Sequence, residues 1–571
     1  MDNILKIYKT LGDKKNKIKL FVFLILISAI LEILGVAMVV PVLTLILSSS
    51  EIIIINFEFF SLQNLKFDKE NLLIGTVIFI FFFYLLKSIF LGYFNYWRSK
   101  FIFSLNEIIS GKLFNIYLYQ PYKFHISRNS STSTRNLIAI QNYVRNIDQC
   151  AHLITELIIL FSFLIVLFLY EPMITIYMSV VALIFGTIYI KIVNPINFRV
   201  GQDSHKSTQS IIQNINQGLF GIKDIKLYGR EKDFLKSFNL NIKKFSKSLT
   251  IFEFLQPLPR ILLEFLAIIL ILTTVTALYY LKYENNEIII FVALLAAVGF
   301  KLIPSLNKVL FAIQHLKYYL PLSENIYQEL NLKITKTALN NKKIQFNNEI
   351  ELKNLNFSYG DKLILKNIDL KIKKNSSIGI IGKTGSGKTT LINILLGLLD
   401  VDNGKVTIDG YICNFNNRSW QDRIGYVPQN IYIVDDTIKK NIAFGISDDQ
   451  IDDKKILRSL QIAQMDNFIH KLSNGVSTMV GENGTQLSGG QIQRLGIARA
   501  VYNDPEILIF DEPSSSLDQE TEDRFIEAIE KLKIDKTIII ISHRESALSF
   551  CDEVYKLDEA QLSNIRNDKN I

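Results

Sequence analysis

Long apolar runs crowd the first 320 positions of the chain, whereas the remaining positions alternate between short apolar runs and polar segments. Six of the runs are long enough to cross a bilayer, which takes about 20 mostly apolar residues. They lie near 20–47, 72–97, 151–170, 173–193, 258–281 and 287–306. The first run is too long for the core of a signal peptide and no small-residue cleavage site follows it, so we predict a retained span.

Two polar connections, 98–150 and 194–256, are far longer than ordinary loops and therefore need structure of their own. Apolar residues recur at helical spacing through both, with breaks near Gln120–Pro121 and Gly218–Gly221. This pattern predicts membrane helices that continue into the cytoplasm, joined by short transverse helices that could contact a cytosolic domain. A stiff helical hairpin without a contact role is the alternative.

A further segment, 51–67, is apolar but too short to span a membrane. Ile55, Phe59 and Leu62 would share one face of a helix, which is typical of a helix lying at the membrane surface. A buried loop packed on neighbouring helices explains the same residues.

The charge distribution gives the orientation. Lysine and arginine are abundant before the first span and in 98–150 and 194–256, but few occur in 48–71, 171–172 and 282–286. Basic residues favour the cytoplasmic side, so both termini are predicted to be cytoplasmic. The formal net charge of +9 follows from this topology, and no nucleic-acid partner is needed to explain it. The three cysteines are scattered without metal or disulfide spacing.

After a polar stretch at 321–344, predicted to be a linker, the chain reads as an α/β domain over 345–571. The apolar run 377–381 leads into the glycine-rich stretch 382–390 and then a helical pattern, the context of a phosphate-binding loop. Its glycines let backbone N–H groups surround phosphate oxygens. Lys388 is expected to reach the β and γ phosphates of ATP, and Thr389 to bind Mg²⁺. A simple glycine turn is the alternative.

A second apolar run, 507–510, ends in two adjacent carboxylates. Asp511 can hold Mg²⁺ through water, and Glu512 can orient or deprotonate an attacking water molecule. An exposed acidic turn after a buried strand would look similar if it stood alone, but here it accompanies a phosphate-binding loop.

The stretch Leu487-Ser488-Gly489-Gly490-Gln491 matches the signature motif of ATP-binding-cassette proteins, and further motifs follow in family order. The resemblance covers about 345–560, and the six-span pattern extends it over nearly the whole chain. It implies an all-α six-span transmembrane domain over 1–320, followed by a cassette with a mostly parallel sheet and a helical subdomain.

The resemblance also implies roles for single residues. Tyr359 would stack on adenine, Gln429 would contact Mg²⁺ and the lytic water, and His543 would contact the γ-phosphate. The expected nucleotide contacts are Tyr359, Gly382, Thr384, Gly385, Ser386, Gly387, Lys388, Thr389, Thr390, Ser488, Gly489, Gly490, Gln491 and Asp518. The metal ligands would be Thr389, Gln429 and Asp511.

In this family two cassettes meet head to tail, so each ATP would lie between Lys388 of one chain and Ser488 of the other. One chain carries one cassette and one six-span domain, so a homodimer is the simplest assembly. A nucleotide-gated channel or regulatory ATPase is the alternative from another class. The presence of Glu512 and His543 counts against it.

Four basic residues lie in or beside the predicted spans: Lys87, Arg260, Lys301 and Lys308. Charges there are costly and usually functional, so they suggest a positively charged girdle around an anionic substrate. Alternatively, Lys308 and Arg260 snorkel to the interface, Arg260 pairs with Glu264, and Glu32 neutralises another member.

The stretches LPRILLE (258–264), KLIPSLNKV (301–309) and LGYFNYW (91–97) resemble flippases of lipid-linked oligosaccharides used in bacterial protein glycosylation. This resemblance implies an inner-membrane flippase for an anionic lipid-linked substrate. A multidrug, lipid or peptide exporter of the same family is the alternative, because a cassette carries no substrate information.

Overall fold

The computed structural model describes residues 15–38, 52–57, 62–170, 172–281, 285–334, 344–513 and 519–565. The chain divides into two compact units. The first, here called the membrane unit, comprises Met1–Tyr119 and Arg128–Ile334. The second, the cassette unit, comprises Gln120–Ser127 and Thr335–Ile571, so it takes one short segment from within the first half of the chain.

The membrane unit is built from long helices. They are α1 (Lys15–Ala37), α2 (Lys69–Leu118), α4 (Ser130–Tyr170), α5 (Pro172–Phe220), α7 (Glu231–Leu255), α8 (Leu258–Tyr280), α9 (Asn285–Tyr318) and α10 (Leu320–Leu330). Helix α2 has 50 residues and α5 has 49. At 1.5 Å per residue each is about 75 Å long, more than twice the hydrocarbon thickness of a bilayer. The predicted continuation of the membrane helices is therefore confirmed.

Short helices join the long ones, as predicted: α3 (Tyr122–Ser127) and α6 (Ile222–Tyr228). Pro121 lies directly before α3 and disfavours helical backbone at Gln120, so α2 ends at Leu118. Gly229 follows α6 with φ of +62°, a left-handed conformation that glycine adopts without steric cost.

Four helical stretches in the described part of the chain are long and apolar enough to cross a membrane: Glu70–Leu118, Ser130–Ile165, Thr175–Phe220 and Glu231–Tyr280. Their outward faces are apolar: Phe79, Phe82 and Leu86 are each more than half exposed. Such faces suit contact with lipid rather than with water. The predicted spans near 20–47 and 287–306 lie partly outside the described residues and side chains.

The expectation of a surface helix at 51–67 is wrong. The structure has an antiparallel hairpin there, formed by β1 (Ile52–Phe57) and β2 (Leu62–Asp68), with Ile55 opposite Leu65. Four consecutive isoleucines, 52–55, explain the difference, because β-branched side chains favour extended backbone. Phe59, which belongs to the same expected helical face, lies outside the described residues.

The stretch 321–344 also differs from the expected linker. It begins with α10, whose Leu322, Ile326 and Leu330 are buried at a spacing of four residues. One face of α10 therefore packs on the membrane unit, chiefly on α4 and α5. The membrane unit extends to Ile334, and residues 335–343 lie outside the described part.

The cassette unit contains a six-stranded sheet in the order β12-β11-β5-β10-β9-β8, in which only β12 is antiparallel to its neighbour. Its strands are β5 (Ser377–Ile381), β8 (Ile424–Val427), β9 (Ile507–Asp511), β10 (Thr537–Ile541), β11 (Glu553–Asp558) and β12 (Gln561–Asn564). The predicted mostly parallel sheet is confirmed. Its central strands β9 and β10 are buried along their whole length and are mostly apolar, as is typical of a parallel sheet covered on both faces.

The other four strands of the cassette unit form an antiparallel sheet in the order β4-β3-β6-β7. These are β3 (Glu349–Tyr359), β4 (Lys362–Lys373), β6 (Asn403–Ile408) and β7 (Tyr411–Ile412). The cassette helices are α11 (Lys388–Leu395), α12 (Arg418–Gln421), α13 (Ile438–Ile442), α14 (Asp453–Ile462), α15 (Asp466–His470), α16 (Gly489–Val501), α17 (Gln519–Leu532) and α18 (Glu545–Leu548). Helices α13 to α16 form the expected helical part.

Candidate nucleotide-binding site

The loop between β5 and α11 has the shape that a phosphate group requires. Gly385 and Gly387 have φ of +83° and +107°, conformations that other residues rarely adopt. A Cβ at Gly382 would lie 2.4 Å from the carbonyl oxygen of Leu557, so a larger residue cannot fit there. The buried Ser386 hydroxyl has no hydrogen-bond partner among the described residues. The loop therefore offers an unused donor, which fits a phosphate ligand.

Lys388, the first residue of α11, points its side chain back into this loop. Its ammonium donates to the carbonyl oxygens of Gly382 at 2.5 Å and Lys383 at 3.1 Å. It also lies 3.3 Å from Nε2 of His543. Burial lowers the pKa of Lys388, and the nearby Glu512 and Asp511 carboxylates oppose that shift. The ammonium thus lies at the centre of the loop, near both carboxylates.

Asp511 is the last residue of β9 and is buried, with 7% of its surface exposed. Burial, and then the neighbouring Glu512 charge, raise the pKa of Asp511. The hydroxyl of Tyr426 on β8 donates to Oδ2 of Asp511 at 3.5 Å. A carboxylate held in this desolvated position is suited to binding a cation, because a positive charge offsets the cost of burial.

Glu512 has φ of +49°, a left-handed conformation that is unusual for a residue other than glycine. Its backbone N–H donates to the carbonyl oxygen of Ile541 on β10 at 2.9 Å, which holds this turn. The side chain of Gln429 donates to Oε2 at 2.7 Å, and Nε2 of His543 lies 3.3 Å from Oε1. The carboxylate is therefore oriented by two residues that the sequence had placed in the site.

The structure also shows the surroundings of the other predicted nucleotide contacts outside the signature segment. Thr384 and Thr389 are exposed at the loop, whereas Thr390 faces inward and is 8% exposed. Tyr359 ends β3, where its ring packs edge-on against Phe357. Asp518 lies outside the described residues.

The signature segment forms the start of α16, at a distance along the chain from the phosphate-binding loop. The hydroxyl of Ser488 accepts a bond from the backbone N–H of Gln491, and Oε1 of Gln491 accepts one from the backbone N–H of Ser488. This capping box fixes the first turn. Ser488 and Gly489 are exposed and Gly490 is half-buried, so the helix N-terminus is open to a ligand.

One contributor was missed by the sequence reasoning. Tyr426 contacts Asp511 because β8 and β9 are neighbouring parallel strands, with Tyr426 opposite Ile509. The only sign in the sequence that Tyr426 belongs to the site is its position three residues before Gln429. Only the strand order, which is not written in any local motif, shows that the two strands are neighbours.

Comparison with known proteins agrees with this geometry. The "ABC transporter" family description matches residues 365–515. The chain is 30% identical over 500 residues to an ATP-dependent lipid A-core flippase of Saccharophagus degradans, covering 84% of this chain and 81% of the relative. The chain belongs to the ABC exporter family. A relative of the same description from Cupriavidus pinatubonensis is 28% identical over 464 residues, covering 79% of this chain and 78% of the relative.

The fold of the exporter resembles that of a bacterial Atm1-family ABC exporter solved with ATP bound. The TM-score is 0.79 at 19% identity, over 97% of this chain and 95% of the other. Membership of the ABC exporter family makes the chain a multi-pass membrane protein whose ATP hydrolysis is coupled to transport, and its cassette binds nucleotide.

The basic residues predicted as a girdle in the exporter have carboxylate partners where the structure describes them. The Lys87 ammonium lies 2.8 Å from Glu32, and its side chain is 6% exposed. Lys308 lies 2.8 Å from Glu156 and Arg260 lies 2.8 Å from Glu264. These are three neutral pairs rather than three free positive charges. The side chain of Lys301 lies outside the described part.

Proposed function

We propose that this exporter is a flippase that carries a phosphorylated glycolipid from the cytoplasmic to the outer leaflet of a bacterial inner membrane. The observation that carries the proposal is the 30% identity to a protein named a lipid A-core flippase, over four-fifths of both chains. The orientation, with both termini and the cassette in the cytoplasm, follows from the distribution of basic residues.

Two members of this lipid class are candidates. The stretches 91–97, 258–264 and 301–309 resemble flippases of lipid-linked oligosaccharides. The names of the relatives favour lipid A-core instead. Both molecules combine long apolar chains, phosphate groups and sugars, so a site for either must offer cations beside an apolar surface. A multidrug exporter is the alternative, and its site would not need cations beside the apolar surface.

The three ion pairs formed by Lys87, Arg260 and Lys308 differ in exposure, and this difference sharpens the proposal. The side chain of Lys87 is buried with Glu32, which suits a contact that holds α1 against α2. The side chain of Lys308 is 62% exposed although its partner Glu156 is only 8% exposed. Lys308 can therefore face an anionic head group while Glu156 holds it in place. Arg260, whose side chain is 70% exposed, can do the same.

In the cassette, Lys388 and the loop amides would hold the phosphates of ATP. Thr389, Asp511 and Gln429 would hold Mg²⁺, which supplies charge neutralisation on the phosphates when bound. Glu512 would accept the proton of the attacking water, oriented by Gln429 and His543, which lie within 3.3 Å of its carboxylate.

Because Ser488 lies at an exposed helix terminus rather than in the phosphate loop, we propose that a second copy of the chain supplies it to each ATP. A homodimer would then have two complete sites.

Reconstituted vesicles test the proposed function. Each would contain one fluorescent probe: lipid A-core, a polyprenyl pyrophosphate oligosaccharide, or a neutral drug. We expect ATP-dependent movement of at least one of the two phosphorylated lipids, and no movement with the Glu512→Gln variant. Export of the neutral drug without movement of either lipid would overturn the proposal in favour of a multidrug exporter.

A further inference from the structure

Glu329, on the last helix of the membrane unit, lies in a buried ionic network that the cassette chemistry does not use. Its surface is 9% exposed. The guanidinium of Arg128 donates to both carboxylate oxygens, Nη2 to Oε1 at 2.6 Å and Nη1 to Oε2 at 2.9 Å. The hydroxyl of Tyr117 donates to Oε2 at 3.0 Å. Paired donation from one guanidinium fixes the orientation of both groups.

A second layer of side chains holds this network in place. The amide of Asn136, which is fully buried, donates to the Tyr117 hydroxyl at 3.1 Å. The oxygen of the same amide accepts from the Arg135 guanidinium at 2.7 Å. Arg135 in turn donates to Gln209 on α5 at 2.5 Å. The network therefore joins the end of α2, the start of α4, the C-terminal part of α5 and the end of α10.

The positions of the three central residues along the chain suggest a purpose. The chain passes between the membrane unit and the cassette unit at three places: after Tyr119, after Ser127 and after Ile334. Tyr117 lies two residues before the first place and Arg128 directly after the second. Glu329 lies five residues before the third. One carboxylate therefore binds the chain beside every crossing point.

The stability of the fold alone does not explain why the Arg128–Glu329 ion pair occurs beside the crossing points. A buried pair is on average no more stabilising than apolar residues of similar volume, whereas losing one member leaves an uncompensated buried charge. The arrangement thus favours keeping the crossing points together and disfavours their separation. Links of this kind oppose independent displacement of the three crossing segments.

We propose that Glu329 is a positioning residue for energy coupling: it holds together the three chain segments through which movements of the cassette reach the membrane helices. Without it, each crossing segment can shift by itself, and closure of the cassettes no longer moves the helices as a set. The inference concerns transmission only and does not depend on which substrate is carried.

Hydrogen exchange of the full-length protein in lipid nanodiscs tests this inference, in a Glu512→Gln background that retains ATP. We expect ATP to slow exchange in the cassette helix Lys388–Leu395 and in the membrane-unit helix Glu231–Leu255. Adding Glu329→Gln should leave the cassette change intact and reduce the change in Glu231–Leu255 to less than half. Glu324→Gln, which alters an exposed carboxylate on the same helix, is the matched control and should change neither.

Two further variants separate positioning from mere stability. Tyr117→Phe removes the hydroxyl that donates to Glu329 and accepts from Asn136, but it removes no charge, and we expect an intermediate loss of the membrane-unit change. The exchanged pair Arg128→Glu with Glu329→Arg restores opposite charges and should recover more of that change than either single variant. An undiminished membrane-unit change in Glu329→Gln, or in Tyr117→Phe if the first variant does not fold, would overturn the proposal. The proposal would also be overturned if ATP caused no change in hydrogen exchange in Glu231–Leu255 of the Glu512→Gln protein with Glu329 unaltered.

Discussion

The side chain of Gln429 donates a hydrogen bond to Oε2 of Glu512 at 2.7 Å, joining the loop after β8 to the turn after β9. Gln429 comes soon after a strand that neighbours β9 in the sheet. The carboxylate is thus oriented by side chains of the protein itself. If Glu512 is the general base, as proposed, this orientation would reduce the entropy lost when the attacking water binds.

Glu512→Gln should retain ATP binding and lose nearly all hydrolysis. The substitution keeps the hydrogen-bonding shape of the side chain but removes the group that accepts a proton. General-base catalysis contributes about 10²- to 10⁴-fold, so we expect a fall in ATPase turnover within that range. Turnover and binding of a fluorescent ATP analogue would be measured on the same preparation.

The exposed Glu527 on α17 offers a control for this variant, because its replacement by glutamine changes the charge without touching the site. Glu527→Gln should hydrolyse ATP at the normal rate. Hydrolysis by Glu512→Gln close to that of the control would contradict the assigned role.

Tyr426→Phe should shift the acidic limb of the ATPase pH profile to higher pH. Burial raises the pKa of Asp511, while the hydrogen bond from Tyr426 lowers it. Removing the hydroxyl therefore raises this pKa further. Because Mg²⁺ requires the deprotonated carboxylate, activity is lost as pH falls through the pKa of Asp511, and this loss would begin at a higher pH.

The comparison for this prediction is Tyr411→Phe, which alters a tyrosine that is 80% exposed on the antiparallel sheet. Its pH profile should match that of the unaltered protein. If the pH profile of Tyr426→Phe coincides with that of Tyr411→Phe, at saturating Mg²⁺ and ATP, the Tyr426 hydroxyl does not influence the pKa of Asp511.

Much of the cassette could be predicted from the sequence because its chemistry is local. Lys388 follows its glycine loop directly, and Glu512 follows its strand, so a short motif contains both the residue and its conformation. The partnership of Tyr426 with Asp511 is different, because it depends on β8 and β9 being neighbours in the sheet. No periodicity within either strand contains that information.

The membrane unit was harder to predict because its decisive contacts join distant parts of the chain. Lys87 and Glu32 are 55 residues apart, and Arg128 and Glu329 are 201 apart. Hydropathy identifies the helices but gives no information on which faces meet. The hairpin formed by Ile52–Phe57 and Leu62–Asp68 was missed for another reason. The spacing of apolar residues in 51–67 was interpreted as helical, although the β-branched isoleucines 52–55 favour a strand.

Mixed dimers test whether two chains share each ATP. Lys388→Ala and Ser488→Arg chains should each be inactive as homodimers, because one disables the phosphate loop and the other the exposed start of α16. In a mixed dimer both defects fall in one site and the other site is intact. Partial ATPase activity should therefore return when the two chains are co-expressed and the heterodimer is isolated with two different tags.

The control for the mixed dimers is a heterodimer in which one chain carries both substitutions and the other carries none. It has one defect in each shared site, so it should be inactive. If this control is active and the mixed dimer is inactive, each chain must form its own site and the shared arrangement is wrong.

Lys308→Gln should impair movement of a phosphorylated glycolipid while leaving basal ATPase turnover within about twofold. The ammonium is exposed, but Glu156, which is 8% exposed, holds it at 2.8 Å, and Ser305 also donates to Glu156 at 3.2 Å. The position is therefore fixed although the charge remains accessible. Losing a charge-assisted hydrogen bond costs about 1.5–3 kcal/mol, which corresponds to roughly 10- to 150-fold in affinity for the lipid.

Vesicle assays with labelled lipid A-core and labelled polyprenyl pyrophosphate oligosaccharide would measure this loss as a higher lipid concentration at half-maximal rate. Lys244→Gln, on an exposed position of α7, provides the matched loss of one positive charge and should behave normally.

Glu156→Gln distinguishes two roles for the pair. If Glu156 only positions the ammonium, this variant should weaken lipid movement less than Lys308→Gln, because the positive charge remains. Equal impairment by the two variants, with normal ATPase turnover, would mean that the intact pair rather than the Lys308 charge is needed. Unchanged lipid movement by Lys308→Gln would remove this residue from the head-group site.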